Sequence, residues 1–186
     1  MSKIEKLDDF HLTIAEIKKK DYPQVKELMD RVYANLGGAW SKTTIHTLID
    51  AFPEGQIALF DHDQLIGMVL SMRVDYAKFS NPHTYDDLIG YKEIIRDNPE
   101  GDAIYGLDAL IDPEYRGYRL GRRLYDARKE LCRQMNFRSI LAGGRIPKYH
   151  SHQDLTPGEY IDAVESREIH DPALSFQLSN GFIVKR

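Results

Sequence analysis

Residues 110–124, LIDPEYRGYRLGRRL, hold the side chains best suited to chemistry in this sequence. An aliphatic run meets Pro113. A turn with Arg116, Gly117, Arg119 and Gly121 follows, and then Leu120, Leu124, Ala127, Leu131 and Met135 recur at helical spacing. A strand–turn–helix of this composition makes an anion site. The first N–H groups of a helix have no intrahelical acceptor, and the helix dipole places about half a positive charge there. A pyrophosphate binds well at such an end. Gly117 permits the tight turn, Gly121 keeps the first helical turn open to a bulky ligand, and Arg116, Arg119, Arg122 and Arg123 add positive charge. A plain strand-to-helix turn with surface arginines has the same composition, because an Arg/Gly turn is a short motif.

The remaining elements must position that turn. Residues 11–17 alternate apolar and polar, as a strand with one buried face does. Pro23 sits at a first helical position, ahead of Val25, Leu28, Met29 and Val32, and Gly37-Gly38 stops that helix. Ser41 is an N-cap for a second helix with Ile45, Leu48, Ile49 and Phe52 on its apolar stripe. Residues 56–60 and 65–74 read as a hairpin. Residues 75–102 are irregular, with a short helix over 85–95, and so are 146–169, with a short helix over 158–166; long connections of this kind are often functional. Between them lie strands 103–111 and 139–142. Asp171-Pro172 opens a last helix to about Asn180, Gly181 closes it, and 182–184 begins a strand.

Composition narrows the classes. The chain has 186 residues, 42% hydrophobic and 29% charged. Such a chain forms an ordinary globular domain, read here as one domain over 1–186 with a polar tail at 1–10. The formal net charge of −4 gives no basic surplus for a nucleic-acid binder. The single cysteine, Cys132, forms no internal disulfide, so a reducing, cytoplasmic setting is expected. No apolar run approaches the ~20 residues that span a bilayer, so no membrane partner is expected. His150 and His152 lack a nearby carboxylate or cysteine set, so no metal site is expected.

The element order and the Arg/Gly turn resemble the GNAT acyltransferase superfamily over residues 11–186. The resemblance implies an α/β (α+β) fold: a mixed, mostly antiparallel central sheet flanked by helices. The most specific part is the family's Arg/Gln-x-x-Gly-x-Gly/Ala loop, which cradles the pyrophosphate of acetyl-CoA. Here it is Arg116-Gly117-Tyr118-Arg119-Leu120-Gly121, with Arg122 next. The first and sixth positions match. The fourth is arginine where the family usually has glycine, and a helical φ at Arg119 would keep the loop's shape and add a charge. Acetyl-CoA is thus the implied co-substrate.

The same resemblance implies that main-chain amides of Leu110 and Ile111 face the thioester oxygen, freed from the ladder by a bulge. Asp108 stands five residues before Pro113, where similar acyltransferases often carry an acidic residue; Asp75 and Tyr105 are lesser candidates. His170 falls where the family often has an asparagine on the pantetheine arm, and Phe176 is a further cofactor contact. Many members carry, four residues before the glycine matching Gly181, a tyrosine that protonates the leaving thiolate. Gln177 occupies that position, and glutamine cannot donate a proton in that way. The runs GGRIPKYH (143–150) and DPALSFQLSNGF (171–182) look like the GNAT domain found fused to carbon–nitrogen hydrolase (nitrilase-like) domains. The family ends with two strands after its last helix, and this chain has room for one. A truncated chain, a missing segment or a last strand supplied by another chain is therefore expected, and a C-terminal hydrolase domain or a homodimer is the partner this suggests.

The activity implied is transfer of an acetyl group from acetyl-CoA to a small-molecule or peptide amine by direct attack. A lysine-like amine has a pKa near ~10.4, so deprotonating it at pH 7 costs roughly 4–5 kcal/mol. Asp108 is the base that would take that proton, directly or through water; a structural carboxylate bonded to backbone is the other reading of the residue. The alternative activity is a non-catalytic or regulatory acyl-CoA-binding module of a larger amide-hydrolysing protein, consistent with Gln177. A plain interaction domain would leave the arginine cluster unexplained.

Overall fold

A computed structural model describes residues 10–34, 38–79, 83 and 96–185. The chain divides into two compact units, Met1–Ala142 and Gly143–Arg186.

The first unit is built on a five-stranded sheet in the order β1 (Leu12–Glu16), β2 (Ile57–Asp61), β3 (Gln64–Val74), β4 (Ala103–Ile111), β5 (Ser139–Ala142). The first three pairings are antiparallel and β4–β5 is parallel. Helices α1 (Tyr22–Val32) and α2 (Lys42–Ala51) cover one face; α4 (Leu120–Gln134) covers the other. A single helical turn, α3 (Tyr76–Phe79), follows β3. Residues 85–95, expected to hold a short helix, lie outside the described residues.

Sequence pattern accounts for both faces. Val25, Leu28 and Met29 of α1 and Ile45 and Leu48 of α2 are fully buried, against Met68, Leu70 and Met72 of β3. Their i, i+3, i+4 spacing gives each helix one apolar stripe. Ser41 caps α2, its Oγ accepting from the Thr44 N–H at 3.1 Å. On the opposite face Leu120 and Leu124 of α4 pack on Leu59, Ile66 and Val69. Strand β3 is buried on both faces, which is why its sequence is almost continuously apolar.

Two register shifts shape the sheet. Leu59 pairs with Gly67 but Phe60 with Leu65, which leaves Ile66 as an extra residue in β3. Leu70 pairs with Asp108 but Ser71 with Gly106, which leaves Leu107 as the extra residue in β4. A bulge of this kind bends the strand and re-aims its neighbours. The bulge expected at Leu110 and Ile111 is therefore three residues nearer the strand's start. Those two residues pair regularly with Met68 and Gly67.

The second unit carries α5 (Pro157–Glu165) and α6 (Leu174–Ser179) around a small core of Tyr160, Val164 and Leu174. Thr156 and Glu159 form a reciprocal capping box on α5. Asp171 is fully buried and organises the rest. Its carboxylate accepts from the N–H groups of Ala173 and Leu174 at 3.0 Å each, from Lys148 N–H at 3.1 Å and from the Tyr160 hydroxyl at 2.9 Å. The capping expected of Asp171 is present, but the helix starts at Leu174 because residues 172–173 form a turn under that cap. Residues 182–184 were expected to begin a strand. They are irregular, belonging to no ladder among the described residues, and a strand without a pairing partner does not form. No described helix is long and apolar enough to cross a membrane.

Candidate functional site

The turn between β4 and α4 is anchored at both ends. Asp112 is fully buried. Its Oδ1 accepts from Glu114 N–H at 3.0 Å, and its Oδ2 makes an ion pair with Arg31 of α1 at 2.9 Å, outside hydrogen-bond geometry. Tyr115 donates to Asp61 at 3.1 Å, and Phe10 stacks against Tyr115 and Tyr118 at 5.3 and 5.2 Å between ring centroids. Leu120 sits in the core at the other end.

Between these anchors the backbone turns sharply. Gly117 has φ +90°, where glycine alone is unstrained. Arg119 has φ 59° and ψ 20°, the left-handed conformation, and not the helical φ expected of it. The turn needs a left-handed residue at the position where the GNAT loop usually has glycine, and arginine adopts that conformation at a cost of about 1–2 kcal/mol. Arg119 is also the N-cap of α4, and a guanidinium has no acceptor to offer the helix. The N–H groups of Leu120 and Gly121 accordingly meet no acceptor among the described residues, while Arg122 N–H bonds to Arg119 O at 3.1 Å. The side chains of Arg116, Arg119, Arg122 and Arg123 are exposed and have no acidic partner among the described residues. Unpartnered N–H groups and four unpaired cations at one helix end fit a pyrophosphate.

The end of β4 forms a second part. Strand β5 pairs with β4 only over Ala103–Gly106, so, among the described residues, 108–111 have a ladder on the β3 side alone. Asp112 N–H donates to Ile66 O at 2.9 Å. Alternation along the strand puts the Leu110 N–H on that same side and the N–H groups of Ala109 and Ile111 on the open side. The expected pair Leu110 and Ile111 is thus divided. Ile111 offers an amide to the open edge, Ala109 gives its own to Asp108 Oδ1, and Leu110 spends its own on β3.

Asp108 is half-buried beside the bulge. The Tyr33 phenol, at the end of α1, donates into its carboxylate and lies 2.6 Å from both oxygens. Ala109 N–H donates to Oδ1 at 2.9 Å. On the other face of the sheet, the Arg128 side chain is buried beneath β4, where its Nη2 donates to Asp108 O at 2.8 Å and to Leu70 O at 3.1 Å. Burial pulls the Arg128 guanidinium down to about 10, against the opposing influence of Tyr125 and Asp108. Of the lesser candidates, Tyr105 is buried with its hydroxyl 2.9 Å from His83 Nε2, and Asp75 caps the turn at Ala77.

Residues 108–122 of the expected site therefore form one continuous stretch of the first unit. His170 and Phe176 belong to the second: His170 is exposed just before Asp171, and Phe176 is half-buried in α6. Gln177 lies in the same helix. His150 Nδ1 lies 2.7 Å from Pro147 O, and the His152 ring packs on Tyr160. Cys132 is half-buried, and burial raises its thiol pKa.

Sequence reasoning missed Tyr33 and Arg128. Tyr33 is 75 residues from Asp108 and carried no signal. Arg128 did carry one: it stands four residues after Leu124 and eight after Leu120, on the buried stripe of α4.

Against known proteins, the model of the acetyltransferase (GNAT) family matches residues 21–152. The chain belongs to the GNAT family. This GNAT chain is 35% identical over 187 residues to the probable hydrolase YhcX of Bacillus subtilis, covering 98% of itself and 36% of YhcX. It is 29% identical over 143 residues to the uncharacterized N-acetyltransferase YkwB of the same organism, covering 76% of itself and 63% of YkwB. The chain thus spans less than two thirds of both curated relatives. Among solved structures, the loading GNATL domain of CurA from Lyngbya majuscula superposes with a TM-score of 0.81 at 21% identity, over 95% of this chain and 86% of that one. That likeness shows the GNAT fold.

Proposed function

We propose that this GNAT domain binds acetyl-CoA and transfers its acetyl group to an amine. The observation that carries the reading is the N-terminus of α4: two N–H groups and four arginines that are unpartnered among the described residues, in the stretch that the GNAT family model matches. Arg116, Gly117, Tyr118, Arg119, Leu120, Gly121 and Arg122 would hold the pyrophosphate. His170 and Phe176 are proposed along the pantetheine arm. The YkwB relative's name supports a nitrogen acceptor, a small-molecule or peptide amine.

Two groups do the work. The Ile111 N–H lies on the open side of β4 and would donate to the thioester oxygen as it gains charge. Asp108 takes a proton from the attacking amine, the roughly 4–5 kcal/mol step at pH 7. The amine nitrogen bonds to the acyl carbon, the carbon–sulfur bond breaks, and the thiolate leaves. Gln177 cannot protonate that thiolate, so the proton comes from water or from the acid that Asp108 has become.

A second reading is supported by Gln177 and by the 36% coverage of a relative named as a hydrolase. In it the domain is an acyl-CoA-binding module of a larger amide-hydrolysing protein, with a C-terminal hydrolase domain or a second copy beside it.

Calorimetry with acetyl-CoA tests the binding step on the parent and on an Arg116→Ala/Arg119→Ala variant. Binding that the variant loses supports the cradle, and no binding by the parent sinks both readings. Thiol release with a panel of amines separates them: release that Asp108→Asn abolishes supports the enzyme, and binding without release supports the module.

A further inference from the structure

The Arg128 guanidinium is an unusual guest. It is 1% exposed, stands on the apolar stripe of α4 and has no carboxylate partner among the described residues. Its Nε meets no acceptor among the described residues. Burying an unpaired cation is costly, and an apolar side chain would continue the Leu120–Leu124 stripe without that cost. The fold makes room for the group nonetheless. A Cβ at Gly106 would lie 2.6 Å from Nη1.

The contacts of Arg128 point to a role. Its Nη2 reaches the carbonyls of Leu70 and Asp108, the pair at which the β3–β4 register shifts. The Asp108 carbonyl belongs to the same peptide group as the Ala109 N–H. That N–H donates to Asp108 Oδ1 at 2.9 Å. A guanidinium bonded to a peptide oxygen withdraws electron density from the peptide and makes its N–H a stronger donor. A cation on one sheet face is thereby linked, through a single peptide, to a carboxylate held on the other face by Tyr33.

We propose that Arg128 is a positioning residue for Asp108: its guanidinium polarises the Asp108–Ala109 peptide, whose N–H fixes the carboxylate and favours its ionised form. The proposal rests on the reading of Asp108 as the base, but the link itself is a property of the folded chain. Charged and titratable groups around this carboxylate include Tyr33 from α1 and Arg128 from α4, with Tyr125 of α4 beside Arg128. A stronger donor and a nearby cation both lower a carboxyl pKa. Losing Arg128 therefore raises it, whereas a guanidinium that only fills space would leave it unchanged.

The test follows the Asp108 side-chain carboxyl by carbon-13 NMR across pH, in the parent chain, Arg128→Met and Arg128→Lys. Methionine keeps the length and removes charge and donors; lysine keeps the charge without the fork. The expected result is a titration midpoint moved to higher pH in Arg128→Met and part of the way back in Arg128→Lys. An unmoved midpoint in folded Arg128→Met overturns the proposal. Should that variant not fold, Arg128→Gln, which removes the charge and keeps a polar side chain, is judged by the same criterion. Thiol release from acetyl-CoA is measured on the same samples. No release by the parent rejects the acyltransferase reading alone, and the NMR midpoint still decides the link. Release that falls ~10²-fold in Arg128→Met, with its acid limb at higher pH and KM for acetyl-CoA little changed, supports both.

Discussion

Arg128 and Gly106 share one volume: a Cβ at position 106 would stand 2.6 Å from Arg128 Nη1. The guanidinium cannot withdraw easily, because it is held by the carbonyls of Leu70 and Asp108 and closed off from solvent. Gly106→Ala is therefore an overpacking substitution. It should lower stability by about 1–3 kcal/mol, read as a lower urea midpoint with an unchanged slope. A variant as stable as the parent would mean that the side chain moves aside freely.

Arg119 is the reverse case, a residue that glycine would relieve. Its φ of 59° costs a side chain about 1–2 kcal/mol, part of which glycine's freedom in the unfolded chain offsets. Arg119→Gly should raise stability by up to about 1 kcal/mol, while Arg119→Ala, with the same strain, gains nothing. Acetyl-CoA affinity should nevertheless fall in both, because the charge is lost. Thermal unfolding and calorimetry on the two variants separate strain from charge.

These two residues show what the sequence could and could not say. The strands were legible because alternation and turn residues mark them, so Ala103–Ile111 and Ser139–Ala142 came out as expected. The strand–turn–helix that holds the proposed cradle was legible because its residues are adjacent in the chain. The bulge at Leu107 was not, since no residue type marks it, and it set which amides face the open edge. The left-handed Arg119 ran against the usual preference for glycine in that conformation. Tyr33 reaches Asp108 across 75 residues, and such a pairing exists only once α1 has packed on the sheet.

The second unit hangs on Asp171. Burial works to raise its carboxyl pKa, but donors from Leu174, Lys148, Tyr160 and Ala173 outweigh it and hold the group below the usual carboxylate range. A folded value below the unfolded ~3.9 gives stability that is present above pH ~4 and lost as pH falls through the folded value. Residues 143–185 should lose amide-exchange protection in that acid window. Asp171→Asn should remove this pH dependence and lower protection at pH 7. Tyr160 sets the alkaline side: burial, then its bond to Asp171, pushes its phenol up to about 12. Its contribution is present below pH ~10 and lost as pH rises towards the folded value.

The four arginines at the start of α4 make a claim about salt. They are exposed and, among the described residues, unpaired, so their attraction for a polyanion acts through solvent. The Debye length shrinks from about 10 Å at 0.1 M to about 3 Å at 1 M, which screens such charges strongly. The N–H groups of Leu120 and Gly121 act at hydrogen-bond distance and are screened little. Acetyl-CoA affinity should therefore fall with added salt to a floor set by the amides, and the Arg116→Ala/Arg119→Ala variant should start lower and fall less steeply. Calorimetry from 0.05 to 0.5 M sodium chloride reads both slopes. Parallel slopes would place the anion's main contacts on the helix end, with the arginines as bystanders.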